Sequence, residues 1–179
     1  MTILETERLI LRHFTQDDLD PFAAICADAD VMRYASLTQK PLTRIQAWNW
    51  MAQAEGHWQL RGYGMWAVEE KKSHQLIGRI GLQFLEGFPD IEAAWLLGKA
   101  FWGRGYAQEG ARAAIAYGFR ELGKESLISM IFPQNTPSIR LAERLGEVRD
   151  GEVTLHGQRL LVYRIHKEIF TDTRLAKSF

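Results

Sequence analysis

Between Ile91 and Gln108 the chain reads Ile91-Glu92-Ala93-Ala94-Trp95-Leu96-Leu97-Gly98-Lys99-Ala100-Phe101-Trp102-Gly103-Arg104-Gly105-Tyr106-Ala107-Gln108. From Ala93 to Leu97 the run is too continuously apolar for a strand with one face in water, so it is placed centrally in its sheet. After Gly98 and the Gly103 to Gly105 turn comes the longest helical pattern, Tyr106 to Leu122, stopped by Gly123 where a left-handed cap residue belongs. Its inner face carries Ala107, Ala111, Ala114, Ile115, Gly118, Phe119 and Leu122, and the small residues near its start allow that end close to the sheet. Ser126 to Phe132 is again strand-like. A strand, helix and strand in succession form a crossover, whose two strands are expected to be parallel.

Working outward, Arg8 to Phe14 reads as a strand with Leu9 and Leu11 on one face. Thr15 opens a helix, with Asp18 as a weaker capping-box partner and Leu19, Phe22, Ala23 and Cys26 on its buried side. Thr43-Arg44-Ile45-Gln46 is a full capping box and starts a second helix, expected to end near Glu55. Tyr63 to Glu70 and Leu76 to Leu85 are strands around the polar turn Lys71 to Gln75. Thr136 to Leu145 is a helix ended by Gly146. Glu147 to Thr154 and Gln158 to Ile169 close the chain as a hairpin, and residues 171–179 carry no pattern and are expected to fray. The order predicts an α+β fold in a single domain over 1–179. Its mixed, mostly antiparallel sheet has about seven strands, flanked by about four helices.

The 179 residues suffice for one domain with a substantial core. Lys plus Arg and Asp plus Glu are both 22, so no global basic field exists to hold nucleic acid or an anionic membrane. Any anion site must be local. Cys26 is the single cysteine, which excludes an intrachain disulfide and fits a reducing compartment. The five histidines show no His-x-x-His or His-x-x-x-His pair, so no metal is expected. Charges precede any apolar run of signal length and no window reaches a membrane span, so a soluble, cytoplasmic protein is expected.

The turn from Trp102 to Ala107 carries the clearest chemical signal. Main-chain N–H groups orphaned in a first helical turn, the helix dipole, and glycines without Cβ at Gly103 and Gly105 together suit a phosphate. The alternative is a plain tight strand-to-helix connection. Neither the Walker spacing nor the dinucleotide fingerprint fits Gly103-Arg104-Gly105-Tyr106-Ala107-Gln108. A diphosphate held chiefly by main chain fits it better.

The strand, turn and helix resemble the acetyl-coenzyme A signature of the GNAT N-acetyltransferases, Gln/Arg-x-x-Gly-x-Gly/Ala. Gly105 and Ala107 fill its last two fixed positions, while Trp102 stands where Gln or Arg is usual. Phe-Trp-Gly-Arg-Gly-Tyr-Ala followed by Gln108-Glu109 is similar to the branch that includes the ribosomal-protein N-terminal acetyltransferases. Asn135-Thr136-Pro137-Ser138 resembles the family's Asn-x-x-Ser element, although Thr136-Pro137 alone also makes a helix start. The likeness covers Arg8 to Ile169 and implies a sheet split at the cofactor site. It assigns acetyl-CoA contacts to Trp95, Leu96, Leu97, Trp102, Gly103, Arg104, Gly105, Tyr106, Ala107, Asn135 and Ser138.

Attack on a thioester needs a neutral amine, whose ordinary pKa is about 8 to 10.4, so a base helps at neutral pH. Glu92, at the start of the buried strand, resembles the location of the general base in several family members; the other reading is a solvated strand-edge residue. The family's usual acid, a Tyr after the second motif, is replaced by Ala142. Ser138 matches the serine of the ribosomal-protein branch and could donate to the departing sulfur, or serve only as a helix cap. Tyr106 and Tyr163 are reserves. Trp48, Trp50, Trp58 and Trp66 fall in the region that lines the acceptor pocket in this family, or else are core. The resemblance implies acetyl transfer to a primary amine, small molecule or protein N-terminus, with a homodimer possible. A catalytically silent acyl-CoA-binding module is the alternative.

Overall fold

A computed structural model describes residues 2–170, so the tail 171–179 lies outside the described residues. Strands β1 (Leu4–Glu5), β2 (Leu9–Arg12), β3 (Met65–Glu70), β4 (Gln75–Gln83), β5 (Glu92–Leu97), β6 (Ser126–Ile131), β7 (Val148–Leu155) and β8 (Gln158–His166) form one sheet. Their order is β1-β2-β3-β4-β5-β6-β8-β7. Helices are α1 (Leu19–Cys26), α2 (Ala29–Met32), α3 (Arg44–Arg61), α4 (Tyr106–Arg120) and α5 (Thr136–Leu145). The α+β class and the mostly antiparallel sheet are as expected. The eighth strand, β1, and the fifth helix, α2, span only two and four residues, too short to show a hydrophobic period.

Helix α3 corrects an expected boundary. It does not stop near Glu55 but runs 18 residues to Arg61. Gly56 is an ordinary helical residue; the stop is Gly62, left-handed at φ 76°. The added turns are held by Trp58, whose indole N–H donates to Met65 O at 3.1 Å and whose ring meets Trp66 edge-on at 4.8 Å.

The sheet is covered on both faces. Helix α4 packs Ala111, Ala114, Ile115 and Phe119 against Leu9, Trp66, Ile80 and Leu127. Close approach requires Gly110 and Gly118: a Cβ at Gly110 would lie 2.6 Å from Ile80 Cδ1. On the other face α1 and α3 bury Phe22, Cys26, Ala47 and Met51 with Met65, Ala67 and Leu96. Burial pushes the Cys26 thiol up to about 11, consistent with a core residue.

A bulge decides which residues of β4 face which layer. Val68 pairs with Gly78 and Glu69 with Leu76, leaving Ile77 unopposed. The extra residue lets Ile77 and Ile80 both enter the α4 side, while Arg79 points to the α1 and α3 side, its guanidinium 4.1 Å from the Trp50 ring centroid.

The crossover β5, α4, β6 gives the one parallel pair in this sheet, and it is barely a pair. Only Glu92 and Ile128 are in register, and the Ile128 N–H donates to Ile91 O at 2.9 Å. Beyond that point β5 stays with β4 as far as Leu97, whereas β6 stays with β8 as far as Ile131. The sheet opens between them. Side chains take over the ladder bonds at the fork: the Met130 N–H donates to Glu92 Oε1 at 3.3 Å, and Ser129 Oγ donates to Ala93 O at 2.8 Å. The Met130 N–H and the Ala93 carbonyl, which the parting strands would leave without partners, are thereby satisfied.

Candidate active site

Helix α4 starts at the mouth of the fork. Its N-cap Gly105 is left-handed at φ 82°, Gly103 is likewise at φ 71°, and no side chain caps the first turn. A Cβ at Gly103 would meet nothing within 4 Å, so the approach to this turn is open. The turn is pinned from behind: Arg8 Nη1 donates to Arg104 O at 2.9 Å, while Glu109 accepts from Thr6 Oγ1 at 2.6 Å and from Arg8 Nε at 2.7 Å. The Trp102 indole N–H donates to Leu97 O at 2.8 Å, which ties the turn to the end of β5. The Tyr106 hydroxyl is committed to Glu70, which raises its pKa. These features make a rigid, uncapped helix start with an exposed main-chain surface, the arrangement that favours an anion.

Glu92 sits where the strands part, 8% exposed. Gln83 Nε2 donates to its Oε2 at 2.7 Å, and Met130 N–H to its Oε1. Burial pushes the carboxyl up to about 7, against the opposing pull of those two donors and of the Arg79 charge. The side chain is therefore buried and not a solvated one. A carboxyl titrating near neutrality can take a proton at one stage and release it at another.

Across the fork, Asn135 caps α5: its Oδ1 accepts from the Ser138 N–H at 3.3 Å. The helix cap is therefore Asn135, with Thr136 and Pro137 inside the first turn. Ser138 Oγ accepts from the Trp95 indole N–H at 3.2 Å. Ala142 is fully buried in a small cluster with Ile131, Leu161 and Tyr163, so the inner side of α5 supplies no acid.

A cavity of about 150 Å³ lies in the fork. It brings together Glu92, Trp95, Leu96, Asn135 and Ser138, roofed by Tyr34 and its neighbours after α2. Leu97 and the Trp102 to Ala107 turn are not on its wall. Sequence reading missed Arg79 and Ser129, which do line it, and Gln83, which holds Glu92. Arg79 lies in an otherwise apolar strand, and the bulge that turns it toward the cavity has only Gly78 as a sequence signal. Glu147, 2% exposed, is a second hidden carboxyl, pushed up to about 8 by burial. Its Oε1 is 3.1 Å from Ser129 Oγ. That hydroxyl donates toward both Ala93 O and Glu147 Oε1, a shared hydrogen bond whose shorter branch goes to Ala93 O.

Residues 8–148 match the family model for an acetyltransferase (GNAT) domain. The chain is 37% identical over 152 residues to YkkB of Bacillus subtilis (strain 168), with 81% of this chain and 84% of that protein covered. It is 30% identical to the N-acetyltransferase p20 of Bacillus licheniformis, covering 84% and 85%. An acetyltransferase structure from Agrobacterium tumefaciens superposes with TM-score 0.82 at 30% identity, covering 93% and 95%. RimL, a ribosomal α-N-protein acetyltransferase solved in complex with coenzyme A, shares the fold at TM-score 0.77 and 15% identity, covering 92% and 98%. A forked sheet with an uncapped helix start at its mouth, matched by these likenesses along most of its length, belongs to the GNAT acetyltransferase family.

Proposed function

We propose that this chain transfers an acetyl group from acetyl-CoA to a primary amine by direct attack in a ternary complex. The observation that carries the reading is Glu92, a buried carboxyl titrating near 7 on the wall of the fork that also holds Ser138. Acetyl-CoA supplies the reactive thioester. The open main-chain turn Gly103, Arg104, Gly105, Tyr106 and Ala107 suits its diphosphate. The β6-facing edge of β5 at Trp95 and Leu96, without a strand neighbour on that side past Glu92, suits the amides of its arm. RimL, solved with coenzyme A, supports the same use of this fold.

In the transfer, the amine nitrogen bonds to the acetyl carbon as the carbon–sulfur bond breaks. Ionised Glu92 takes the amine proton. Ser138 receives a hydrogen bond from Trp95, and its own O–H goes to no described partner, so it is available to the departing sulfur. Alignment of the amine against the thioester in the fork supplies much of the rate without a strong acid.

The test is thermal unfolding with and without acetyl-CoA, followed by thiol release across a panel of primary amines. Ligand binding to the native state must raise its stability by mass action, so a shift of the melting temperature with acetyl-CoA is expected. Its absence at millimolar ligand would overturn the reading. A shift without turnover of any amine would favour a silent acyl-CoA-binding module. Across the described residues no helix is long and apolar enough to cross a membrane.

A further inference from the structure

Arg79 is 9% exposed, its Nε is buried without a hydrogen-bond partner, and no described carboxylate forms an ion pair with it. Its guanidinium stacks on Trp50 and lines the same cavity as Glu92. A buried cation normally sits against an anion, because desolvation otherwise disfavours it strongly. Burial lowers its pKa only to about 10, so it stays charged at neutral pH. Among the described residues the only charged ones on the cavity wall are Arg79 and Glu92, and Glu92 is already held by Gln83 and Met130.

We propose that Arg79 binds the carboxylate of the acceptor, so that the amine acetylated in this fork is an amino-carboxylic acid. The proposal rests on the acetyl-transfer reading above and narrows its substrate. Planar guanidinium matches carboxylate in a two-pronged hydrogen bond, and the Trp50 ring, 4.1 Å from the Arg79 Cζ, already supports that group. Charge balance favours the same class. With Glu92 ionised, Arg79 charged and a zwitterion bound, the cavity is neutral; it stays neutral when the ammonium proton passes to Glu92. An amine lacking a carboxylate would leave one uncompensated positive charge in the cavity at both of these stages. Along β4, Arg79 lies four residues from Gln83, the cross-strand partner of Glu92, about 13 Å between Cα positions. The spacing makes the distance between amine and carboxylate a selective feature as well.

The experiment measures thiol release with acetyl-CoA for α-amino acids, β-alanine, γ-aminobutyrate and ε-aminocaproate, each against its carboxamide. It uses the parent, Arg79→Gln and Arg79→Lys. In parallel, melting temperatures are recorded with each compound, in the presence and absence of acetyl-CoA. Loss of a buried charge pair corresponds to at least ~30-fold. The expected result is a carboxylate over carboxamide preference of that size in kcat/KM for at least one skeleton, expressed chiefly in KM. It should collapse toward one in Arg79→Gln and be partly kept in Arg79→Lys. A ratio near one in the parent, or an unchanged ratio in Arg79→Gln, overturns the assignment. If Arg79→Gln does not fold, Arg79→Lys and the parent ratio decide. If no amine turns over, a carboxylate-specific melting shift supports the assignment and its absence refutes it. Failure of acetyl-CoA itself to shift the melting temperature strikes the acetyl-transfer reading, a different result from acetyl-CoA binding without carboxylate preference.

Discussion

The Trp95 indole N–H, on β5, donates to the hydroxyl of Ser138, on α5, at 3.2 Å, joining the two walls of the fork. The same hydroxyl lines the cavity, so its loss should affect rate more than fold. Ser138→Ala leaves the Asn135 cap intact, since that bond uses the Ser138 main chain. Its expected stability cost is about 1 kcal/mol, with a fall in kcat of roughly 10- to 100-fold. Asn135→Ala should show the reverse balance, costing about 1 kcal/mol from the lost cap with a smaller change in kcat. Paired measurements of melting temperature and single-turnover rate check both.

Glu92→Gln keeps the size of the side chain but removes the base. The expected loss in kcat is on the order of 10²- to 10⁴-fold. Because the carboxylate is the active form and titrates near 7, the parent rate should rise with pH through about 7. Gln83, Arg79 and Glu147 all bear on that inflection. The variant should lack it. An unchanged profile in Glu92→Gln would assign the base elsewhere.

Glu147 gives a prediction about stability alone. Its carboxyl is raised in the folded protein, so the native state holds a proton that the unfolded chain releases above about 4.5. Folding stability from this group therefore falls as pH rises from about 4.5 to about 8, and levels off above. Glu147→Gln removes that loss and keeps an oxygen that can accept from Ser129 Oγ. The variant should gain on the parent across this window, by a few kcal/mol at most, with little difference at pH 4. Urea unfolding at several pH values reads the difference directly.

Two glycines separate fold from cofactor. Gly78→Ala puts Cβ 2.1 Å from Leu96 O, a main-chain clash inside the sheet, and should cost roughly 3 kcal/mol or more. Gly105→Val faces a gentler neighbour, Arg8 Nη2 at 3.3 Å, but must adopt φ 82°. It should cost about 1–3 kcal/mol and largely abolish the melting shift with acetyl-CoA. Comparing the two shifts distinguishes general destabilisation from damage to the helix start.

Local chemistry made most elements legible. Gly146 ends α5 as a left-handed cap, Thr43 starts α3 through its capping box, and the apolar run before Gly98 is indeed a central strand. The end of α3 was not legible, because Gly56 looks like a stop and only the packing of Trp58 on Trp66 carries the helix past it. Within the fork, Glu92 and Ser138 could be singled out from motifs, and both face one cavity. Arg79 and Glu147 could not, since a lone charge in a strand carries no spacing signal.

By itself the sequence determined the order of the main elements, the glycine turn before α4 and the neutral overall charge, all properties of local sequence or of composition. Tertiary structure decided the rest. The parting of β5 from β6, and the side chains of Glu92 and Ser129 that replace their ladder bonds, depend on contacts between distant segments. Burial then set Glu92 near 7 and left Arg79 charged without an ion-pair partner, because desolvation is a property of what surrounds a group and not of its place along the chain.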